Sequence, residues 1–185
     1  HDTLFEPKKI IKELEQVKPT IIQATPGFYQ MLYNADWKGD RNLKVLCGGD
    51  LLSEALANKL INSTKEVWNM YGPTETTIWS SIKKIEKPQD ASNIGKPISN
   101  TQFYILDEYL KLLPVGTVGR IFIGGDGLAK EYYQNPELTF QKFIDSPFIK
   151  GEKIYETGDI GKWNENGEIE FSGRNDSQVK VRGYR

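Results

Sequence analysis

Histidine is nearly missing from this chain: the only one is residue 1. Histidine is the usual acid–base group near neutral pH and the commonest metal ligand, so histidine catalysis and histidine-rich metal sites are excluded. Cysteine is equally scarce, with Cys47 alone. One thiol cannot close an internal disulfide, which suits a reducing compartment. An excess of either charge is missing too, since 24 Lys and Arg oppose 25 Asp and Glu for a formal net charge of −1. That balance offers no bulk attraction to nucleic acid or to an anionic membrane. No apolar run approaches the roughly 20 residues that span a bilayer. The opening His1-Asp2-Thr3-Leu4-Phe5 has no charged-then-apolar leader pattern. Together these absences predict a cytoplasmic protein with no nucleic-acid and no membrane partner.

What is present is a turn-rich globular composition: 185 residues, 38% apolar and 26% charged, with 17 Gly and 9 Pro. At about 150 residues per domain the length predicts one or two domains. Pro7 to Val17 places Ile10, Ile11, Leu14 and Val17 at helical spacing. Thr20 to Ala24 reads as a short buried strand, and Thr25-Pro26 as the capped start of a helix turning Phe28, Met31 and Leu32 inward. Leu43 to Cys47 is a second strand, Ser53 caps a helix carrying Leu56, Leu60 and Ile61, and Glu66 to Met70 is a third strand. Strand, helix, strand, helix, strand predicts a parallel sheet with crossover helices.

Glu86 to Asn93 is polar, contains Pro88 and reads as a linker or crossing loop. Beyond it, Thr101 to Asp107, Val118 to Ile123, Tyr155 to Thr157, Gly161 to Trp163 and Glu168 to Ser172 read as short strands separated by turns. Asn166-Gly167 is a hairpin signal. One helix interrupts the strands, with Asn135 as cap, Pro136 opening it and Leu138 and Phe143 as apolar contacts. The fold class is therefore α/β followed by a β-rich part.

Three stretches carry candidate chemistry. Asn69-Met70-Tyr71-Gly72-Pro73-Thr74-Glu75-Thr76-Thr77 follows a strand, where ligands of open α/β sheets bind. A tyrosine ring can stack on a base, threonine hydroxyls can bond phosphate, and a carboxylate can hold Mg²⁺. The plain alternative is a strand ending in a Gly-Pro turn. In Tyr155-Glu156-Thr157-Gly158-Asp159 the aspartate, after a glycine at a strand end, can accept from two ribose hydroxyls; an Asx turn is the alternative. Gly173 to Gly183 is polar and basic, either a solvated edge or a hinge in which Arg174 and Asp176 form a charge pair. Gly124 to Ala129 lacks the Lys-Ser/Thr ending of a phosphate loop and reads as a structural strand exit.

Taken together, these residues resemble the adenylation domains of nonribosomal peptide synthetases, within the adenylate-forming, AMP-binding superfamily. Asn69 to Glu75 resembles N-x-Y-G-P-T-E, and Gly119 to Tyr132 resembles G-E-L-x-I-x-G-x-G-L-A-x-G-Y, with Arg120 and Glu131 departing from Glu and Gly. Tyr155 to Asp159 resembles Y-x-T-G-D, and Gly173 to Gly183 resembles G-R-x-D-x-Q-V-K-I-R-G. The resemblance implies the adenylate-forming fold, the later part of the large N-terminal subdomain ending at the hinge. Residues 1–88 would be its α/β part, 94–173 a β-rich distorted barrel, and 174–185 the hinge and the start of the C-terminal subdomain.

The resemblance also implies a reaction: amino acid plus Mg·ATP gives aminoacyl-AMP and pyrophosphate, and the acyl group passes to a phosphopantetheine thiol. That thiol belongs to a peptidyl carrier domain, so carrier domain and neighbouring synthetase modules are the implied partners. Carried over, Asn69 bonds adenine, Tyr71 stacks on it, Thr74 binds the α-phosphate and Glu75 ligates Mg²⁺. Asp159 holds the ribose hydroxyls, Phe171 packs near the ribose, Arg174 reaches ribose or phosphate oxygens, and Asp176 is the hinge. Gly27, Leu46, Gly48, Met70, Ile78 and Trp79 line the amino-acid pocket; with two glycines and no charge, they favour a large aromatic or long side chain.

The family's phosphate loop, the aspartate for the substrate amino group and the catalytic lysine have no counterpart in the chain. It is therefore expected to be a piece of a larger enzyme, inactive alone. A free-standing acyl- or aryl-CoA ligase of the same superfamily is the alternative enzyme, and a non-catalytic ATP- or carrier-binding module the alternative outside catalysis. Cys47, set in an apolar strand, reads as a buried inert thiol.

Overall fold

A computed structural model describes residues 6–175 of the chain. These divide into two compact units, one of residues 6–69 with 84–92 and one of residues 70–83 with 93–175.

The first unit alternates helices and strands. Helix α1 (Pro7–Val17) has proline in its first turn and ends on Lys18, left-handed at φ 50°, whose N–H bonds the Leu14 carbonyl. Strand β1 (Ile21–Ala24) leads through Thr25 into α2 (Pro26–Asn34), where the Thr25 hydroxyl accepts from the Phe28 N–H. Strand β2 (Asp40–Gly48) runs parallel to β1 in the register Ile21 to Lys44 and Ala24 to Cys47. Helix α3 (Glu54–Ser63) is capped by the Ser53 hydroxyl and starts with an acidic residue, which complements the helix dipole. Strand β3 (Thr64–Tyr71) follows, its last two residues belonging to the second unit. Tyr29, Leu32, Val45, Cys47, Ala57 and Leu60 are fully buried. The Tyr29 hydroxyl donates to the Ile22 carbonyl at 2.8 Å, so its one polar atom is satisfied inside the core.

Residues 86–93 are ordered, not a free linker. Pro88–Ser92 forms a 3₁₀ turn that buries Ala91, and the Asp90 carboxylate accepts from the N–H groups of Glu86 and Lys87. The polarity that marks a loop here supplies local caps.

The second unit is built from antiparallel strands. They are β4 (Ser81–Ile85, its first three residues in this unit), β5 (Asn93–Pro97), β6 (Thr101–Leu106) and β7 (Gly119–Gly125). After helix α4 (Pro136–Lys142) come β8 (Phe143–Asp145), β9 (Lys153–Trp163) and β10 (Ile169–Arg174). Their order is β4-β5-β10-β9-β7-β6, with β8 also on β9. Ile94, Phe103, Ile105, Ile121, Ile123 and Ile169 form the core. Arg120, where the motif has glutamate, sits on β7 and pairs at 2.9 Å with Glu156 on β9, so the departure carries its own partner.

Two expectations change here. Tyr155–Thr157 and Gly161–Trp163 are not separate strands but parts of the continuous β9, with the pairing to β7 shifting between Arg120 and Phe122. Gly158 (φ 76°) takes the irregularity, and the Thr157 hydroxyl replaces ladder bonds by donating to the Ile121 carbonyl and accepting from the Asp159 N–H. Phe143, expected on the helix, is buried in β8, while α4 has no buried residue. The Asn166-Gly167 turn forms as read, with Gly167 at φ 68° between β9 and β10. Among the described residues no helix is long and apolar enough to cross a membrane.

Candidate functional site

Strand β3 ends at Tyr71, and the chain then folds into a tight turn over residues 72–80. A side chain at Gly72 would lie 2.3 Å from the Ile78 carbonyl oxygen, so only glycine fits. Thr74–Thr76 is one 3₁₀ turn, and Thr77 and Ile78 both take left-handed backbone angles, φ 61° and 73°. Two consecutive β-branched residues there store about 1–3 kcal/mol each, which surrounding bonds must offset. The Ser80 N–H bonds the Tyr71 carbonyl at 2.7 Å, and the Thr76 and Ser80 hydroxyls meet at 2.6 Å. Thr74 and Ile78 are left exposed on this turn, while Glu75 and Thr76 are buried.

The glycine-rich segment after β7 buttresses the same turn. Gly125 does make a tight strand exit, at φ 111° with no room for a side chain beside the Asn100 carbonyl. Its continuation does more. The Thr77 hydroxyl donates to the Gly127 carbonyl at 2.7 Å, and the Ala129 N–H donates to the Glu75 carbonyl at 2.8 Å.

Glu75 is 4% exposed. Its Oε1 accepts from the Tyr132 hydroxyl at 2.5 Å, and that hydroxyl lies 3.3 Å from the Tyr155 hydroxyl. The Phe143 ring packs on both tyrosines, with centroids 5.6 and 5.0 Å away. Burial, reinforced by Tyr132 and Glu75, pushes the Tyr155 phenol far above its ordinary pKa, so it stays protonated. A hard carboxylate oxygen suits Mg²⁺. Among the described residues no group of three or more His, Cys, Asp or Glu could hold a metal ion. One carboxylate is within what Mg²⁺ commonly takes from a protein, the rest of its shell being water or substrate oxygens.

The second cluster centres on Asp159, 7% exposed in the interior of β9 rather than at a strand end. Its Oδ2 accepts from the Tyr71 hydroxyl and its Oδ1 from Arg174 Nη1, both at 2.5 Å. Arg174, opposite Asp159 in the β9–β10 register, also donates from Nη2 to the Thr157 carbonyl at 3.3 Å. Arg174 forms an ion pair with Asp159; Asp176, read as a charge partner of Arg174 and as the hinge, lies outside the described residues. The Tyr71 ring is tilted against Phe103 and Phe171, with centroids 6.1 and 6.4 Å away. Burial, together with the adjacent Asp159 carboxylate, holds the Tyr71 phenol well above its usual pKa. A flat ring, a carboxylate and a guanidinium converge here, the groups that a base, a diol and an anion would need.

The structure brings Tyr71, Asp159, Phe171 and Arg174 together, and holds Thr74 and Glu75 on the turn that starts at Tyr71. The other named residues are spread over both units. Asn69, buried, closes the first unit and donates its amide to the Ala91 carbonyl at 3.2 Å. Gly27 opens α2, and Leu46 and Gly48 lie on β2, also in the first unit. Met70, exposed Ile78 and half-buried Trp79 belong to the second. A cavity of about 490 Å³ in the first unit is lined by Lys18, Pro19, Gly39 and Asp40 among others, and includes none of the named residues. Tyr132 enters the sequence argument only as a motif letter, and Tyr155 as a motif letter and the start of a strand. No sequence signal joins Tyr132 to Glu75, 57 residues away.

A family model described as "AMP-binding enzyme" matches residues 1–133. A dimodular nonribosomal peptide synthase of Bacillus subtilis (strain 168) is 40% identical over 186 residues, covering 100% of this chain and 8% of that protein. Tyrocidine synthase 2 of Brevibacillus parabrevis is 43% identical over 164 residues, covering 86% of this chain and 5% of its own length. The chain thus spans under a tenth of these relatives. A crystal structure of a four-domain holo nonribosomal peptide synthetase bound to AMP and glycine matches 100% of this chain and 14% of that one, with TM-score 0.89 and 40% identity. An artificially fused adenylation–carrier di-domain from Klebsiella oxytoca shares the fold at TM-score 0.85 and 24% identity, over 96% of this chain and 34% of that one. The chain has the sheet-rich α/β fold of nonribosomal peptide synthetase adenylation domains.

Proposed function

The chain belongs to the AMP-binding enzyme family, and from that premise we propose that it is part of an amino-acid-activating adenylation domain. The domain joins an amino acid to the AMP moiety of ATP, releases pyrophosphate and passes the aminoacyl group to a phosphopantetheine thiol on a carrier domain of the same assembly line. The observation that carries this reading is the Tyr71–Asp159–Arg174 cluster beside a strained turn bearing Thr74 and Glu75.

The chemistry asks for placement and charge cancellation. The amino-acid carboxylate attacks the α-phosphorus, a P–O bond forms, and the bond to pyrophosphate breaks; no proton need leave the nucleophile. Tyr71 offers its ring to the adenine, Asp159 accepts from the ribose hydroxyls, and Arg174 neutralises Asp159 while its guanidinium reaches ribose or phosphate oxygens. Phe171 closes the apolar side of the ring. Thr74, exposed on the turn, donates its hydroxyl to the α-phosphate. Glu75 would hold Mg²⁺, which would supply cancellation of phosphate charge. A rigid turn suits this task, since charge placement fixed in advance costs no reorganisation during reaction.

The test is amino-acid-dependent exchange of radiolabelled pyrophosphate into ATP by the protein that carries this chain, over a panel of amino acids. Exchange stimulated by one or a few amino acids is expected. Exchange driven by fatty or aryl acids and coupled to coenzyme A would instead assign a ligase, and nucleotide binding without exchange would assign a non-catalytic module.

A further inference from the structure

Segment 127–132 grips the turn at three points: the Gly127 carbonyl on Thr77, the Ala129 N–H on the Glu75 carbonyl, and the Tyr132 hydroxyl on the Glu75 side chain. The first holds the Thr77 side chain and the second the Glu75 backbone. The third fixes the carboxylate itself. Tyr132 is in turn anchored from behind, its N–H bonded to the Thr139 hydroxyl at 2.9 Å and its ring packed on Phe143. Thr139 bonds the Asn135 carbonyl in the first turn of α4, so the anchor rests on regular structure. Glu75 is 4% exposed, and the Tyr132 hydroxyl reaches its Oε1 at 2.5 Å.

We propose that Tyr132 is a positioning residue for Glu75: its hydroxyl, not the bulk of its ring, sets the direction in which the carboxylate meets a divalent cation. The proposal rests on the reading of Glu75 as the cation ligand. Groups that orient a metal ligand through a hydrogen bond typically change metal affinity about 10–100-fold when removed. The Tyr132→Phe variant removes one oxygen and keeps the ring against Phe143, so it isolates the hydroxyl.

Two measurements on the protein that carries the chain test it. The first is Mn²⁺ affinity in the presence of a non-hydrolysable ATP analogue, from the electron paramagnetic resonance signal of free Mn²⁺. The second is the Mg²⁺ concentration for half-maximal pyrophosphate exchange, with circular dichroism to show that each variant is folded. Tyr132→Phe is expected to weaken Mn²⁺ binding about 10-fold and to raise the Mg²⁺ requirement in parallel, with exchange recovering at high Mg²⁺. Glu75→Gln separates the two claims. If Glu75→Gln weakens Mn²⁺ binding and Tyr132→Phe does not, the positioning role is overturned while the cation site stands. If neither changes it, Glu75 is not the ligand and both fall. Loss of exchange in Tyr132→Phe that high Mg²⁺ does not restore also overturns the positioning role.

Discussion

Replacing Asp159 with asparagine exchanges one oxygen for an amide on a side chain that is 7% exposed and already gripped from two sides. Tyr71 donates to one oxygen and Arg174 to the other, each at 2.5 Å. In the Asp159→Asn variant the NH₂ group cannot face the guanidinium, donor against donor, so the remaining carbonyl must turn to Arg174. The amide then faces Tyr71, and the acceptor capacity that a ribose diol needs is reduced to a neutral carbonyl. A hydrogen bond to a charged group contributes about 1.5–3 kcal/mol. Losing one such bond, at tenfold per 1.4 kcal/mol, weakens ATP binding about 10–150-fold. Calorimetric titration with ATP and with 2′,3′-dideoxy-ATP reads this directly. The parent should prefer ATP over the dideoxy analogue, and the variant should lose most of that preference. An unchanged ATP affinity, or a preference that survives the substitution, would refute the ribose role.

Three further outcomes follow from the same geometry. Gly72→Ala drives a methyl to 2.3 Å from the Ile78 oxygen and 2.8 Å from the Ser80 nitrogen, so a loss of about 1–3 kcal/mol is expected, visible as a lower Tm; an unchanged Tm would contradict the close approach. Burial pushes the Cys47 thiol up to about 12, so iodoacetamide should leave the folded protein unlabelled at pH 8 and label it in denaturant; fast labelling of the folded form would contradict it. Burial works against ionised Glu168, but its bonds from Lys83 and Asn93 outweigh that and hold its carboxyl below the usual value. A depressed carboxyl adds stability above its unfolded pKa and loses it as pH falls through the folded one, so Glu168→Gln should flatten the loss of stability on acidification below about pH 5; equal slopes in parent and variant would count against it.

Much of the first unit can be read from local pattern, because its elements announce themselves within a few residues. Pro7–Val17 is a helix with those bounds, and Thr25, Ser53 and Asn135 each cap the helix that follows. Tyr29 is not legible in the same way, since an aromatic with a hydroxyl gives no sign that two strand carbonyls will meet it. The second unit was harder. Thr157-Gly158-Asp159 looks like a break, yet a hydroxyl stands in for the missing ladder bonds and β9 continues. The short strands β4, β5 and β8 have too few residues to show a period. Motif strings mark the candidate site residues but not their partners. Tyr71 and Asp159 are 88 residues apart, and only tertiary folding decides that they share a proton donor and an acceptor.

The central claim is that an amino-acid carboxylate attacks the α-phosphorus of ATP. It is tested most directly by supplying the protein that carries this chain with its exchange-active amino acid, labelled with ¹⁸O in the carboxylate, together with ATP, Mg²⁺ and its carrier thiol. Mass spectrometry of the released nucleotide should find AMP bearing one ¹⁸O, carried over when the thiol displaces it. AMP without label, or ADP and phosphate in its place, would contradict the account.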